Sequence, residues 1–337
     1  MSAYEPPTAV SPDDQLPPVE PPSAGFIVQL FVIPALIVTI MFVLGAGIKW
    51  LVERDNDPKA YVDALRRDNA ARWQAASDLA DLLRNPRHAK LKDDANLAEQ
   101  LAGILDKEID DARYDEMSIE LRLYLCHVLG EFHVPAVLDT LVKAAQTQRD
   151  PKEATVRFAA MKAIAVWLDG APQAAGDTAE KLMPTILAAS RDEQPLLRST
   201  AAFALGAADR PDATQRLERM LVDSYPDVRY NAATMLARRG NSAAVEVLAE
   251  MLDPGQAVAL EKEDEPQSRR YKRDLILVNA LRATEDLAKE NADADLRPLV
   301  EPVERLATPE SAGGSDLPGG IQVQAKEVLL ELNQRRS

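Results

Sequence analysis

The residues best suited to chemistry in this chain are its histidines and its single cysteine. His127 and His133 flank Gly130, and Cys126 adjoins His127, so imidazole and thiol groups lie close together along the sequence. A zinc site needs such ligands, but these spacings match no zinc motif. Cys126 falls at a core position of its repeat, where a buried thiol is inert. The sequence therefore predicts no metal ligand, cofactor site or catalytic residue.

Six arginines recur about 30 to 50 residues apart, a spacing typical of stacked helical hairpins. Small or apolar residues follow each arginine three, four and seven positions later, as on the buried face of a helix. Evenly spaced cations suggest an anion-binding surface, but their position beside Ala/Leu stripes favours a structural role. The six are Arg72, Arg122, Arg157, Arg198, Arg229 and Arg273.

Acidic residues precede four positions of this arginine series by six or seven residues. Acids in the turns between repeats are predicted to pair with neighbouring arginines and to form an ion-pair ladder along the stack. Partly exposed pairs contribute only about 0–1 kcal/mol each, so packing of the Ala/Leu stripes must dominate stability. The four acids are Glu116, Asp150, Asp192 and Asp223.

The clearest repeat, residues 223–255, shows how each unit is built. Pro226 suits the first turn of a helix, and an Ala/Leu stripe follows it. Gly240 is predicted to end this helix in the left-handed conformation. A second helix then runs to Leu252 and stops before Pro254. Such a hairpin has two faces to bury, so it needs neighbours on both sides.

The segments DSYPDVRYNAATML and DEQPLLRSTAAFALG resemble HEAT-like repeats of the phycobilisome-lyase type. The resemblance covers about residues 60–335 and implies an all-α solenoid used as an interaction scaffold. It also raises a lyase-like enzyme, or the regulatory subunit of an enzyme, as an alternative. HEAT-repeat hydroxylases hold iron with His-Glu pairs, but Ala89, Val128 and Val134 follow the three histidines here. We therefore predict a protein that is not an enzyme.

The charge of the chain restricts its partners. Its formal net charge is −15 and its isoelectric point is about 4.8, so it repels phosphate backbones, and we expect no nucleic acid among its partners. We expect a protein partner with a basic surface, bound in a salt-sensitive manner. Tyr225 and Tyr230 flank a turn between repeats and are the candidate protein-binding residues, although core or edge packing is the favoured explanation for them.

The N-terminal region predicts attachment to a membrane. Residues 1–24 form a proline-rich acidic tail that we expect to be disordered, and residues 25–51 are predicted to form a single transmembrane helix. A signal peptide and a buried core helix are the alternatives; the first lacks a basic segment before its apolar run. Membrane lipid is thus an expected contact of residues 25–51.

Basic residues, which follow the apolar run and do not precede it, indicate its orientation. The positive-inside rule places the N-terminus outside and the solenoid in the cytoplasm, on the inner membrane of the cell; a periplasmic solenoid is the alternative. The solenoid is predicted over residues 58–335, with irregular loops at about 254–270 and 308–320. The expected function is a membrane-anchored scaffold or assembly factor for a membrane-associated complex.

Overall fold

The chain divides into two units, Met1–Asp57 and Pro58–Ser337. Every regular element among the described residues is a helix, which agrees with the all-α prediction. The computed structural model describes residues 25, 28, 33–55, 58–67, 69, 71–170, 175–208, 210–255, 257–261, 263–308 and 317–335.

The first unit contains helix α1, Ile33–Asp55. Its large apolar side chains are exposed, among them Phe42, which is 78% exposed. Within the part of the chain that the structure describes, no helix is long and apolar enough to cross a membrane. The transmembrane helix predicted over 25–51 is therefore not supported by the described residues, and the predicted tail, 1–24, lies outside them.

The second unit is a succession of helical hairpins with short connections. Single turns of 3-10 helix precede α6 and α12, and a longer one, Pro86–Asp93, joins α3 to α4. Its helices are α2 (Pro58–Arg66), α3 (Arg72–Arg84), α4 (Ala95–Asp111), α5 (Glu116–Gly130), α6 (Leu138–Gln146), α7 (Glu153–Gly170), α8 (Ala175–Ala189), α9 (Pro195–Ala208), α10 (Pro211–Met220), α11 (Pro226–Ala237), α12 (Val245–Met251), α13 (Ala257–Leu260), α14 (Pro266–Glu290), α15 (Arg297–Ala307) and α16 (Gly319–Gln334).

The hairpins stack so that their first helices form one row and their second helices another. In the first row α3, α5, α7, α9, α11, α14 and α16 pack in succession, each against the next. The second helices α4, α6, α8, α10, α12 and α15 pack against this row. Each arginine of the series lies on a helix of the first row. This arrangement is an α-solenoid, and it agrees with the predicted fold class.

The repeat around α11 shows why the sequence folds in this way. Val228, Ala232 and Leu236 lie on one face of α11 and are fully buried between the neighbouring helices. Pro226 begins the helix, where its missing N–H costs nothing. Gly240 has a φ of 69°, the left-handed conformation that glycine adopts most easily. The predicted boundaries of this repeat therefore follow from local backbone chemistry.

Two other glycines lie at close contacts between helices of the first row. Gly206 lies inside α9, and Gly130 is the last residue of α5. A Cβ atom on Gly130 would lie 2.8 Å from the Cα of Ala163, and one on Gly206 would clash with Met235. These glycines allow α5 and α9 to approach the next helix of the first row closely.

The irregular connection predicted at 254–270 is shorter than expected. It contains the four-residue helix α13, and α14 begins at Pro266 because proline suits the first turn of a helix. Most of the loop predicted at 308–320 lies outside the described residues, and α16 begins at Gly319. The connection after α12 lengthens the distance along the sequence between α11 and α14, so α14 departs from the spacing of the earlier repeats.

Candidate functional site

The side chains of the arginine series reach the turns between repeats, where two of the predicted acids bind two arginines each. The Asp192 carboxylate accepts a hydrogen bond from Arg157, and its backbone carbonyl accepts one from Arg198 Nη1 at 2.9 Å. Asp223 repeats this arrangement one unit later. Its carboxylate accepts two hydrogen bonds of 2.8 Å from Arg198, and its backbone carbonyl accepts a hydrogen bond of 2.9 Å from Arg229. Each aspartate thus joins successive repeats.

Earlier in the stack, glutamates on helices form ion pairs with the arginines. Arg72 donates to Glu108 at 2.8 Å, and Glu108 is only 2% exposed. Arg122 is fully buried and lies 3.2 Å from Glu153, which is 1% exposed. Arg149 Nη2 also reaches Glu153, at 2.9 Å. Glu108 also contacts Arg113 at 3.1 Å, so each of these glutamates holds two arginines.

Two predicted ladder acids lie elsewhere. Asp150 accepts a hydrogen bond from the Lys152 backbone N–H at 2.9 Å, so its carboxylate is used in the turn before α7. Glu116 is exposed in the first turn of α5, where Asp115 is the N-cap residue. Neither forms an ion pair with an arginine of the series in the described structure. Glu153 takes the place predicted for Asp150 because it sits on α7, facing α5.

The end of the series uses other partners. Arg229 also pairs with Glu250 of α12, and Arg273 pairs with its neighbour Asp274 at 2.9 Å. Sequence reasoning did not select Glu108, Glu153 or Glu250, because each is distant in sequence from the arginine that it contacts. The acid at the capping-box position of α7 was the one available signal for Glu153.

The ladder carboxylates are held in their ionised form. Burial alone would raise the pKa of Glu153, Asp192 and Asp223, but hydrogen bonds outweigh it and lower all three pKa values. For Glu153 the donors are the backbone N–H groups of Arg149 and Asp150 and the Arg149 guanidinium. The arginines of the ladder are occupied within the stack, which favours a structural role over anion binding.

The histidines and the cysteine differ in burial and in their contacts. Cys126 is fully buried, and burial raises the pKa of its thiol to about 12. Burial first, and then nearby cations, lower the pKa of His127, while His133 Nδ1 lies 3.0 Å from Asp93. His88 lies at a kink of the 3-10 helix. Among the described residues, no three histidine, cysteine or acidic side chains converge as a metal site would require.

The two candidate tyrosines differ in exposure. Tyr225 is 37% exposed, and the Arg198 guanidinium lies over its ring at 5.5 Å. Tyr230 is 4% exposed, and its hydroxyl donates to Glu250 at 2.8 Å. Burial first, and then Glu250, raise the pKa of Tyr230, so this phenol stays protonated. Tyr225 is thus available at the surface, whereas Tyr230 is buried.

A groove lies on the first row of helices beside these tyrosines; we call it the α9–α11–α14 groove. It has a volume of about 500 Å³ and is lined by residues of those three helices. Leu196 is 59% exposed and Leu275 is 48% exposed, so apolar side chains from α9 and α14 both reach its surface. Beyond Leu275 a shallower extension includes Tyr271, which is 72% exposed.

The charged residues that line the groove and its extension are Asp227, Glu263 and Lys272, one more negative than positive charge. Lys272 lies 3.3 Å from Asp227 and 3.5 Å from Glu263, so one cation contacts two carboxylates. The Asp227 side chain remains 58% exposed despite this contact. The groove and its extension therefore place exposed apolar side chains beside the carboxylates of Asp227 and Glu263.

Comparison with known proteins identifies the repeats. A family model of HEAT repeats matches residues 182–261, and a model of a HEAT-like repeat matches residues 154–208. Residues 154–261 thus match HEAT-type repeats. These matches agree with the repeat resemblance in the sequence but do not distinguish the phycobilisome-lyase type, which stays a prediction. HEAT repeats typically serve as protein-interaction scaffolds.

Other comparisons add little. No curated protein matches the chain. A crystal structure of an engineered protein from the Northeast Structural Genomics Consortium is 15% identical, with a TM-score of 0.38; the match covers 83% of this chain and 97% of the engineered protein. At this TM-score the likeness supports no conclusion about fold or function.

Proposed function

We propose that this protein is a membrane-anchored scaffold or assembly factor that binds a protein partner in a membrane-associated complex. The observation that carries the proposal is the stack of HEAT repeats with the α9–α11–α14 groove on its surface. A stack of repeats presents an extended binding surface, and its residues need no catalytic geometry to do so. The arginine ladder supports the stack from within.

Attachment to the membrane rests on the sequence of residues 25–51. No charged side chain occurs from Gly25 to Ile48, and the apolar side chains of α1, such as Phe42, are exposed. Basic residues follow this run, which favours a solenoid in the cytoplasm and a short tail, 1–24, outside the inner membrane. Attachment would raise the effective concentration of partners already at the membrane.

The charge of the chain favours a partner with basic surfaces. Opposite charges on two proteins speed their association, and the effect weakens as salt screens them. A net charge of −15 on this chain thus predicts complexes that dissociate more readily at high salt. The lyase-like alternative has no supporting motif in the sequence.

Chemical crosslinking in native membranes, followed by purification of the chain, tests the proposal. We expect one or a few proteins to be recovered in stoichiometric amounts, and a variant without residues 1–57 to leave the membrane fraction. Recovery of no partner, or substrate turnover by the purified chain, would contradict the scaffold. C-terminal fusions test the orientation: a fluorescent reporter should be active and a phosphatase reporter inactive.

A further inference from the structure

We propose that the α9–α11–α14 groove binds a partner segment in which leucine-like side chains are flanked by lysine or arginine. This inference rests on the proposed scaffold function and specifies the chemistry of its partner. The groove offers a place for apolar side chains, an acidic edge for cations and an amide for the backbone of a bound segment. These features come from α9, α11, α14 and the connection that precedes α14.

The apolar part of the groove is already arranged for binding. Leu196 and Leu275 face solvent from α9 and α14, and the floor contains Ile276, which is only 8% exposed. Tyr225 is held by the guanidinium of Arg198, which Asp223 fixes through two hydrogen bonds. A side chain that is ordered before binding loses little conformational entropy on binding, so Tyr225 is suited to anchor a ligand.

The acidic edge selects the charge of the ligand. Asp227 and Glu263 share the single cation of Lys272, so the edge carries a net negative charge. Asp264 and Glu265 are also exposed in the connection that leads to α14, and Arg269 and Arg270 are exposed at the start of that helix. Together with Asp227, Glu263 and Lys272, these side chains carry a net charge of −1. Lysine or arginine residues beside the apolar side chains of a ligand would complement this edge, whereas acidic residues there would be repelled.

An unused amide favours a polypeptide as the ligand. Asn279 lines the groove from α14, and its side chain has no hydrogen-bond partner within the described part of the chain. A carboxamide offers both donors and an acceptor, so it can pair with the N–H and C=O groups of an extended segment. The nearby Asn231 is occupied instead, donating to Ser199 Oγ at 2.8 Å.

A labelled peptide, Lys-Lys-Leu-Ser-Leu-Lys-Lys, tests the proposal with the full chain in detergent micelles and with empty micelles as the blank. Fluorescence anisotropy should show saturable binding that weakens as salt is raised. The same peptide with serines in place of leucines, or with glutamates in place of lysines, should bind at least about tenfold more weakly. Equal binding of the leucine-free peptide would overturn the proposal.

Variants of the chain locate the binding site. Leu196→Ser and Leu275→Ser each change an exposed side chain, so the fold should survive, and each should weaken binding about tenfold. Leu330→Ser is the matched control because Leu330 is 62% exposed on α16, away from the groove. Asn279→Ala should weaken binding about threefold, which a purely apolar contact would not predict.

Three results would overturn the proposal. One is equal peptide binding by the wild-type chain and Leu275→Ser, and another is equal loss in Leu330→Ser. A third is a dimer in sedimentation analysis that Leu275→Ser dissociates, since the groove would then bind a second copy of the chain. After any of these three results, the scaffold function still stands if membrane crosslinking recovers a partner through another surface. Failure of that crosslinking would contradict the scaffold itself.

Discussion

Glu153→Gln removes the counter-ion of the most deeply buried arginine in the structure's described part. Arg122 is fully buried, and its Nη1 lies 3.2 Å from Glu153. Without the carboxylate, the guanidinium keeps hydrogen bonds to the backbone oxygens of Ser118 and Arg113, but no opposite charge compensates its burial. Removing one partner of a buried ion pair costs about 3–5 kcal/mol.

A loss of this size is a large part of the 5–15 kcal/mol that ordinarily stabilises a folded domain. Urea titration followed by circular dichroism should therefore show a clear fall in the free energy of unfolding. The double variant Arg122→Met/Glu153→Met should be more stable than Glu153→Gln, because it removes both buried charges.

The control is Asp169→Asn, which breaks an exposed pair with Arg238. That pair is 3.4 Å long, and both side chains are about half exposed, so its loss should cost at most about 1 kcal/mol. If the free energy of unfolding of Glu153→Gln lies within about 1 kcal/mol of the wild-type value, the buried pair does not hold α5 against α7, and the reasoning is refuted.

Three further predictions follow from the repeats. The folded state lowers the pKa values of Asp192 and Asp223, so both carboxylates stabilise the fold above the unfolded pKa of about 4. The free energy of unfolding should therefore fall as the pH is lowered below about 4. Acid titrations should show a smaller fall in the double variant Asp192→Asn/Asp223→Asn. Gly130→Ala should cost about 1–3 kcal/mol, whereas Gly103→Ala, with open space around it, should gain about 0.5–1 kcal/mol in urea titrations. Cys126 should react with a thiol reagent at pH 8 only after unfolding, since burial raises its pKa to about 12.

The repeat fold could be predicted from sequence because its signals are local. Pro226, the stripe of Ala and Leu after it, and Gly240 act within one hairpin, so their spacing suffices. Asp192 and Asp223 could be selected as turn acids for the same reason. Their contacts with two successive arginines became visible only in the structure.

The groove and the glutamate partners could not be predicted in this way. Glu153 meets Arg122 only because α7 packs against α5, and such contacts depend on how successive repeats stack. The groove depends on the position of α14, which follows the connection that contains α13. The close approach of Gly206 to Met235 is likewise a property of two helices together.

Site-specific photocrosslinking in native membranes tests the central claim most directly. A photoreactive amino acid replaces Leu275 in the groove, and Leu330 on α16 serves as the control position. The account predicts a discrete adduct with one protein from position 275, none from position 330, and loss of the adduct at high salt. Absence of any protein adduct from position 275 and from neighbouring groove positions would contradict a protein-binding scaffold that acts through this surface.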